Sequence, residues 1–221
     1  MHKSLDNFIS IEKEIQSKIN KSTADNDFPK IIAISKTFPI QDIYPIINHG
    51  HNHFGENKVQ EALEKWAEIK KDFKNLKLHM VGKLQTNKVK YAIELFDYIH
   101  SLDNLKLAEK ISAEQIKKKK KLKIFIQVNI GDEEQKSGIS PEKVEEFYDK
   151  CVQDLNLDII GLMCLPPNDK NSNLYFAKMK SLKEKISVPE LSMGMSGDYL
   201  EAINNGATFV RIGSKLFGDR N

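Results

Sequence analysis

The sequence predicts an α/β protein, a (β/α)8 barrel that forms a single domain over residues 1–221, with an N-terminal helix at about residues 4–20. Short apolar runs typical of buried strands alternate with amphipathic helical runs, and no long linker interrupts them. Eight strand-like runs can be distinguished, so that 221 residues leave about 28 for each unit. That size suits a compact barrel in which each parallel strand is followed by a helix.

The predicted strands are short runs rich in isoleucine, leucine, valine and phenylalanine, bounded by glycine, asparagine or charged residues. The run IIAIS and the run LKIFIQVNI have the strongest strand pattern. In chain order the eight predicted strands span residues 31–35, 51–54, 76–82, 98–100, 122–130, 157–165, 191–193 and 207–212.

The predicted helices lie before, between and after these strands. The first has apolar residues at positions 5, 8, 11, 12, 15 and 19, which is helical spacing. Asp103 is expected to cap the long helix after the fourth strand, and Ser140 and Pro141 to begin the helix after the fifth. The other predicted helices span residues 40–48, 58–71, 86–95, 171–185 and 198–204.

An open, doubly wound sheet is the alternative architecture. It usually has fewer strands and a glycine-rich phosphate-binding turn after the first of them. In this chain the first strand leads into Ser35-Lys36-Thr37-Phe38-Pro39, which contains no glycine. The absence of that turn favours the barrel.

Composition excludes several classes of protein. Apolar residues make up 40% of the chain, charged residues 29%, and the net charge is only +3, with lysine spread evenly beside acidic residues. Of 34 basic residues only Arg211 and Arg220 are arginine, which argues against a nucleic-acid surface. The longest apolar run is far shorter than the roughly 18 residues of a membrane span, and no signal-peptide pattern opens the sequence. Two cysteines make no disulfide framework, so we expect a cytoplasmic protein.

Two turns at the predicted barrel mouth suit a phosphate group. SMGMSG follows the seventh strand and RIGS ends the eighth, and in barrels the loops at these two places often bind phosphate. Ser196, Gly213 and Ser214 would contribute hydroxyl groups and closely approaching backbone N–H groups. Two ordinary strand–helix turns remain the alternative interpretation.

Lys36 stands directly after the first apolar strand, where its side chain would enter the barrel mouth. Desolvation there would favour the neutral amine that Schiff-base chemistry needs. In a chain with many lysines, a lone lysine is more commonly a surface residue. A phosphate site beside a reactive lysine is the combination that pyridoxal phosphate requires.

Seven motifs occur in the same order as in the pyridoxal phosphate homeostasis proteins, also called proline synthetase co-transcribed proteins: AISKTFP, HFGENKVQEA, LHMVGKLQTNK, KSGI, GLMCLPP, LSMGMSGD and VRIGSKLFG. The chain resembles this family over about residues 30–218. The resemblance implies a fold-type III pyridoxal phosphate barrel like the N-terminal domain of alanine racemase. The sequence ends at Asn221, after the eighth unit, so we expect the C-terminal β domain of racemases to be absent.

The resemblance also implies roles for individual residues. Lys36 would form the internal aldimine with pyridoxal 5′-phosphate, and Asn57 would line the cofactor pocket. Ser196, Gly213 and Ser214 would hold the phosphate, and Arg211 would face the pyridine nitrogen. His79, Gly82 and Gln85 would serve as pocket wall and packing, and Met163 and Met193 would line the barrel mouth.

These roles imply a protein that holds pyridoxal phosphate and buffers or delivers it, with little or no turnover and no catalytic residue. An arginine at the pyridine nitrogen weakens the ring as an electron sink, and no tyrosine occurs in the mouth motifs. The alternatives are a pyridoxal phosphate-dependent amino-acid racemase or lyase using Lys36 as its base, and a binder of another phosphorylated metabolite. Expected partners are the cofactor, apoenzymes that use it and small amino or keto acids, and we expect a monomer without nucleic-acid or membrane partners.

Three other features of the sequence have interpretations of their own. His49, His51 and His53 alternate, but without an acid or thiol at ligand spacing they predict a solvated turn and no metal. Lys136, beside Ser137-Gly138, is a second candidate for reaction with the aldehyde. Cys151 and Cys164 are expected to be separate packed thiols.

Overall fold

In the computed structural model, which describes residues 2–19, 28–133, 135–169 and 171–218, eight parallel strands close into a barrel in sequence order. The last strand pairs with the first, with Ile32 opposite Arg211. The strands are β1 (Lys30–Ile34), β2 (His53–Glu56), β3 (Lys77–Met80), β4 (Tyr98–Leu102), β5 (Lys123–Val128), β6 (Asp158–Cys164), β7 (Glu190–Ser192) and β8 (Phe209–Ile212). The predicted barrel architecture is therefore confirmed.

Helices surround the barrel. They are α1 (Lys3–Ile19), α2 (Ile40–Asn48), α3 (Val59–Trp66), α4 (Ile69–Asp72), α5 (Val89–Leu95), α6 (Leu105–Lys118), α7 (Val144–Asp149), α8 (Ser172–Lys185), α9 (Tyr199–Asn204) and α10 (Ser214–Phe217). Helix α1 precedes the barrel and packs on α2 and α10, burying Phe8, Ile11 and Ile15. Within the described residues, no helix is long and apolar enough to cross a membrane.

Alternation along the strands produces two apolar layers, because successive side chains of a strand point to opposite faces. In β8, Val210 and Ile212 belong to the outer core between strands and helices, whereas Phe209 packs inside the barrel. In β1, Ile32 and Ile34 likewise point inward. The inner cluster is small because polar side chains fill much of the rest of the barrel.

Several predicted boundaries were wrong. Residues 58–71 form two helices, α3 and α4, although Ala67 and Glu68 between them keep right-handed helical dihedral angles. Residues 86–88 form a 3-10 turn before α5. Asn104, not Asp103, caps α6: its side-chain oxygen accepts a 2.9 Å hydrogen bond from Leu107 N–H. Ser140 does stand before Pro141 at the start of a 3-10 turn, but its hydroxyl makes no capping bond.

Strand β2 lies two residues further along the chain than predicted. It includes Gly55 and Glu56, which lie just beyond the predicted strand, and Glu56 is fully buried. A Cβ atom at Gly55 would lie 2.6 Å from the Ile34 side chain, so glycine lets β1 and β2 pack at this point. This shift brings a buried carboxylate beside the segment that carries Lys36.

Candidate functional site

A cavity of about 930 Å³ opens at the carboxyl ends of the strands, the end where barrel proteins place their active sites. Residues following seven of the eight strands contribute to its wall. All six residues predicted to bind a cofactor line it, namely Lys36, Asn57, Ser196, Arg211, Gly213 and Ser214. The structure thus brings together groups that are up to 178 positions apart in the chain, from 36 to 214.

Lys36 enters the cavity two residues after β1 ends, near the apolar side chains of Ile34 and Phe38. The preceding residue, Ser35, continues the strand pairing by donating its N–H to Gly55 O at 3.1 Å. Phe38 stacks on Phe217 of α10, with ring centroids 5.0 Å apart. The lysine segment is therefore packed against the helix that follows β8.

Asn57 lies directly after β2, and its backbone contacts the neighbouring strand end. A Cβ atom at Gly82 would lie 2.4 Å from Asn57 O and 2.8 Å from its Cα. Only glycine allows this approach. Gly82 therefore acts as packing that positions Asn57, and both residues line the cavity.

The turns after β7 and β8 meet at Ser196. The Ser196 hydroxyl oxygen accepts hydrogen bonds from Gly213 N–H at 3.3 Å and from Lys215 N–H at 3.2 Å. Gly194 begins the first turn with φ +88°, a conformation that glycine adopts readily. Two small-residue turns thus form one cluster of hydroxyl and backbone donor groups on the cavity wall.

Arg211 lies in β8 and points into the barrel, with only 4% of its surface exposed. Its Nη1 donates to Ser192 Oγ at 2.8 Å, and its Nη2 donates to the carbonyl oxygen of Cys164 at 2.8 Å. Burial lowers the pKa of this guanidinium, yet arginine stays protonated near neutral pH. Two fixed hydrogen bonds therefore hold a permanent cation at the floor of the cavity.

A chain of hydrogen bonds continues from Arg211 through the barrel. Ser192 Oγ lies 2.9 Å from His100 Nδ1, His100 Nε2 lies 2.9 Å from His79 Nδ1, and His79 Nε2 lies 2.9 Å from His53 Nδ1. Three imidazoles and one hydroxyl thus connect the cavity floor to the opposite end of the barrel. No pattern in the sequence predicted this chain, because inward-facing positions of different strands come together only in the closed barrel.

The charge on Arg211 determines how we assign the protons in this chain. Arginine can only donate, so Ser192 accepts from it, and we assign the Ser192 hydroxyl proton to the bond with His100 Nδ1. With each neutral imidazole assigned its proton on Nε2, His100 donates to His79 and His79 donates to His53. Burial lowers the pKa of His79 and His100 well below its ordinary value, and burial with nearby Lys30 and Lys77 lowers the pKa of His53 to about 4.

The solvated turn predicted around His49, His51 and His53 was wrong for two of the three residues. His51 packs on Phe8 with ring centroids 4.6 Å apart, and burial lowers its pKa to about 4. His53 belongs to the buried chain. The alternation allowed a shared strand face, but only His53 lies in β2 and faces the barrel interior, whereas His51 precedes the strand and packs on the N-terminal helix.

Other predicted site residues lie elsewhere. Met163 is fully buried inside the barrel and Met193 in the outer core, so neither lines the mouth. His79 lies in the interior chain and Gln85 is exposed outside the cavity.

Cys151 and Cys164 are free and buried, and burial raises the pKa of each thiol to about 12.

The segment after β5 covers one side of the cavity. Gly138 adopts φ +133°, and Ile139 forms an isolated parallel bridge with Val128, which places it beside the end of β5. Lys136 lines the cavity, forms an ion pair with Glu133 and donates to Pro166 O at 3.4 Å. The described lining residues carry four cationic side chains and no carboxylate, which favours an anionic ligand.

The alanine racemase N-terminal domain family model matches residues 18–221. The chain is 39% identical over 217 residues to the pyridoxal phosphate homeostasis protein of Aquifex aeolicus, covering 94% of each chain. It is 36% identical to the human protein of that name, over 87% of this chain and 77% of the human one.

Solved structures show the same fold. PipY of Synechococcus elongatus, with pyridoxal phosphate bound, is 31% identical and matches with a TM-score of 0.82, covering 97% of this chain and all of PipY (100%). Alanine racemase of Clostridium difficile matches 98% of this chain with a TM-score of 0.73 at 16% identity, over 57% of the racemase. The racemase therefore shares the barrel and has further chain beyond the matched part.

Proposed function

The chain belongs to the family of pyridoxal phosphate homeostasis proteins, and from this we propose that the mouth cavity binds pyridoxal 5′-phosphate. The protein holds this cofactor and buffers or delivers it, with little or no turnover. The observation that carries the proposal is that a lysine amine, a buried arginine and two small-residue turns line one cationic cavity. Fold alone does not establish a function, whereas these groups supply the chemistry that the cofactor needs.

The donor groups fit the chemistry of this cofactor. When bound, pyridoxal phosphate supplies an aldehyde that condenses with amines and a ring that withdraws electrons. Lys36 supplies the amine. Ser196, Ser214 and the backbone N–H groups of Gly213 and Lys215 would hold the phosphate, because hydroxyl and amide donors bind such oxygens well. Asn57 would form part of the wall beside the ring.

Arg211 would face the pyridine nitrogen and limit catalysis. Its guanidinium only donates hydrogen bonds and would keep that nitrogen unprotonated, so the ring would stabilise negative charge poorly. The described residues that line the cavity include no tyrosine to act as a second acid or base. Binding of the cofactor without efficient proton transfer follows from both features.

The experiment is to add pyridoxal phosphate to purified protein and to record absorbance, borohydride trapping and racemisation of amino acids. We expect a band near about 420 nm that borohydride removes and that Lys36→Ala abolishes, with negligible racemisation. Lys180→Ala, an exposed lysine of α8, is the matched control and should keep the band. A band retained in Lys36→Ala would contradict the role of Lys36 and direct attention to Lys136, whereas rapid racemisation would support an enzyme.

We place this function in the cytoplasm, because both cysteines are free and buried, as expected in a reducing compartment. Apoenzymes that need pyridoxal phosphate are the proposed recipients, and small amino or keto acids are proposed ligands beside the cofactor. We propose that the protein acts as a monomer. Size-exclusion chromatography with light scattering tests the oligomeric state, and transfer of cofactor to a purified apoenzyme tests delivery.

A further inference from the structure

The residue after Lys36 has an unusual backbone conformation. Thr37 has φ +68°, in the left-handed region, although its side chain is β-branched. Such a conformation is unfavourable and persists only where surrounding contacts hold it. The segment that carries the reactive amine is therefore held in place rather than relaxed.

Two side chains of α3 hold the backbone on both sides of Lys36. Glu61 Oε1 accepts a hydrogen bond from Thr37 N–H at 2.5 Å, and Lys65 Nζ donates to Ser35 O at 2.8 Å. Glu61 and Lys65 are one helical turn apart on α3, and Lys65 Nζ lies 3.2 Å from Glu61 Oε1. Hydrogen bonds between an ionised side chain and the backbone are stronger than those between neutral groups. Glu61 and Lys65 therefore hold the backbone of Thr37 and Ser35 firmly against α3.

Glu56 holds the Lys65 side chain from within the protein core. This carboxylate is fully buried, and its Oε1 accepts from Lys65 Nζ at 3.0 Å, Ser35 Oγ at 2.8 Å and Trp66 Nε1 at 2.9 Å. A buried carboxylate is tolerated only when such donors compensate for its lost hydration. Lys65, with 11% of its side chain exposed, cannot move away without leaving that charge poorly compensated.

We propose that Glu61 and Lys65 are positioning residues that fix the Lys36 amine in the cavity by holding the peptide groups of Ser35 and Thr37. The inference rests on the proposed function and extends it to the loop that carries the amine. In the step affected, the Lys36 nitrogen adds to an aldehyde carbon, a C=N bond forms, and the aldehyde oxygen leaves as water. Holding the amine in place speeds this step, because fewer conformations must be lost on the way to bond formation.

The test compares Glu61→Ala and Lys65→Met with the unaltered protein in the rate of covalent capture of pyridoxal phosphate. We expect each variant to be slower by about tenfold. Glu64→Ala, on the same helix and hydrogen-bonded only to exposed Gln60 within the described residues, is the matched control and should keep the original rate. Labelling of Lys36 by acetic anhydride in cofactor-free protein, followed by mass spectrometry, gives a second readout.

A double variant separates positioning from folding. Without Glu61, Thr37 should relax from its unfavourable φ and displace Lys36, whereas glycine at position 37 tolerates the same φ. Thr37→Gly combined with Glu61→Ala should therefore recover part of the lost rate. A fold defect would show no such recovery.

Failure of the positioning role and failure of the proposed function give different experimental results. If Lys36→Ala abolishes capture but Glu61→Ala and Lys65→Met keep the original rate, the positioning role is overturned and the function stands. If capture persists in Lys36→Ala, the role of Lys36 in the proposed function fails, and Lys136 becomes the candidate amine. A slow Glu61→Ala variant with an unchanged thermal midpoint and recovery by Thr37→Gly supports the positioning role.

Discussion

Arg211 Nη1 donates a hydrogen bond to Ser192 Oγ at 2.8 Å inside the barrel, where both side chains are buried. Since Ser192 also contacts His100 Nδ1 at 2.9 Å, this hydroxyl joins the cationic cavity floor to the interior imidazoles. Arginine has no acceptor atom, so Ser192 accepts from Arg211, and the other hydrogen bonds of the chain are assigned to run from Ser192 toward His53. Ser192 is therefore the residue whose loss should affect both ends of the chain.

Ser192→Ala should destabilise the protein and disturb the cofactor site. The change leaves one arginine N–H and one imidazole nitrogen without their buried partner, which costs about 1–3 kcal/mol. Because Arg211 would lose one of its two hydrogen bonds, the absorbance of bound pyridoxal phosphate should also shift. Urea unfolding and absorbance spectra of the loaded protein measure the two effects.

Ser181→Ala is the matched control for this serine. Ser181 is exposed on α8 and bonds only to a carbonyl oxygen of its own helix within the described structure. It should change neither the free energy of unfolding nor the spectrum. Equal behaviour of the two alanine variants would contradict the role assigned to Ser192.

The buried imidazoles should make the protein less stable in mild acid. Unfolded histidine has a pKa near about 6.5, whereas burial lowers the pKa of His51 and His53 to about 4 in the folded protein. The unfolded chain therefore binds more protons between these values. The stability is fully present above about pH 6.5 and declines as the pH falls toward 4, by about 1.4 kcal/mol per pH unit for each histidine that stays neutral when folded.

Urea unfolding between about pH 7.5 and 5.5 measures this slope above the range in which most carboxylates titrate. His79→Gln removes one imidazole from the chain but keeps a donor and an acceptor. For this variant the slope of the free energy of unfolding against pH should correspond to about one proton fewer than in the unaltered protein. An identical slope in both proteins would mean that His79 is not neutral when folded, or is not the source of the effect.

The barrel could be predicted from the sequence because its evidence is local. Buried parallel strands appear as continuous apolar runs, and helices between them show their own spacing. Lys36 and the two small-residue turns could be assigned to one cavity because they follow strands that must end at the same face, whereas the roles of Asn57 and Arg211 came from the family resemblance. The role of each residue remains a proposal that the variants above test.

The polar networks could not be predicted from the sequence because they depend on closure of the barrel. His79 contacts His53 and His100 across neighbouring strands, and Ser192 is 92 positions from His100. The burial of Glu56 was not predicted either, because acids are rarely buried and only the structure shows the donors that permit it. No local pattern distinguishes such residues from solvated ones.

Gly82→Ala should weaken cofactor binding through Asn57. The added Cβ would lie 2.4 Å from Asn57 O, 2.8 Å from its Cα and 2.9 Å from its carbonyl carbon, which are all backbone atoms, so the segments after β2 and β3 must separate. We expect a loss of about 1–3 kcal/mol in the free energy of unfolding and a clear loss of affinity for pyridoxal phosphate. Thermal unfolding measures the loss of stability, and titration with pyridoxal phosphate followed by absorbance measures the loss of affinity.

Gly206→Ala separates stability from binding in that experiment. Gly206 has φ +85°, so alanine there should cost about 1–2 kcal/mol through its backbone alone. Since Gly206 lies in the turn before β8 and does not line the cavity, affinity should be kept. If both glycine variants lose affinity in proportion to stability, Asn57 has no particular role in binding.

Ser196→Ala should weaken binding of pyridoxal phosphate but not of pyridoxal, which lacks the phosphate group. The Ser196 hydroxyl joins the two turns by accepting from Gly213 N–H and Lys215 N–H, so its loss removes one phosphate donor and the contact that holds the two turns together. One hydrogen bond to a charged group is worth about 1.5–3 kcal/mol, which predicts at least about a tenfold loss of affinity. Borohydride trapping at increasing concentrations of each aldehyde measures both affinities. Because Lys36 reacts with either compound, equal losses for the two would show that Ser196 supports the lysine segment and not the phosphate.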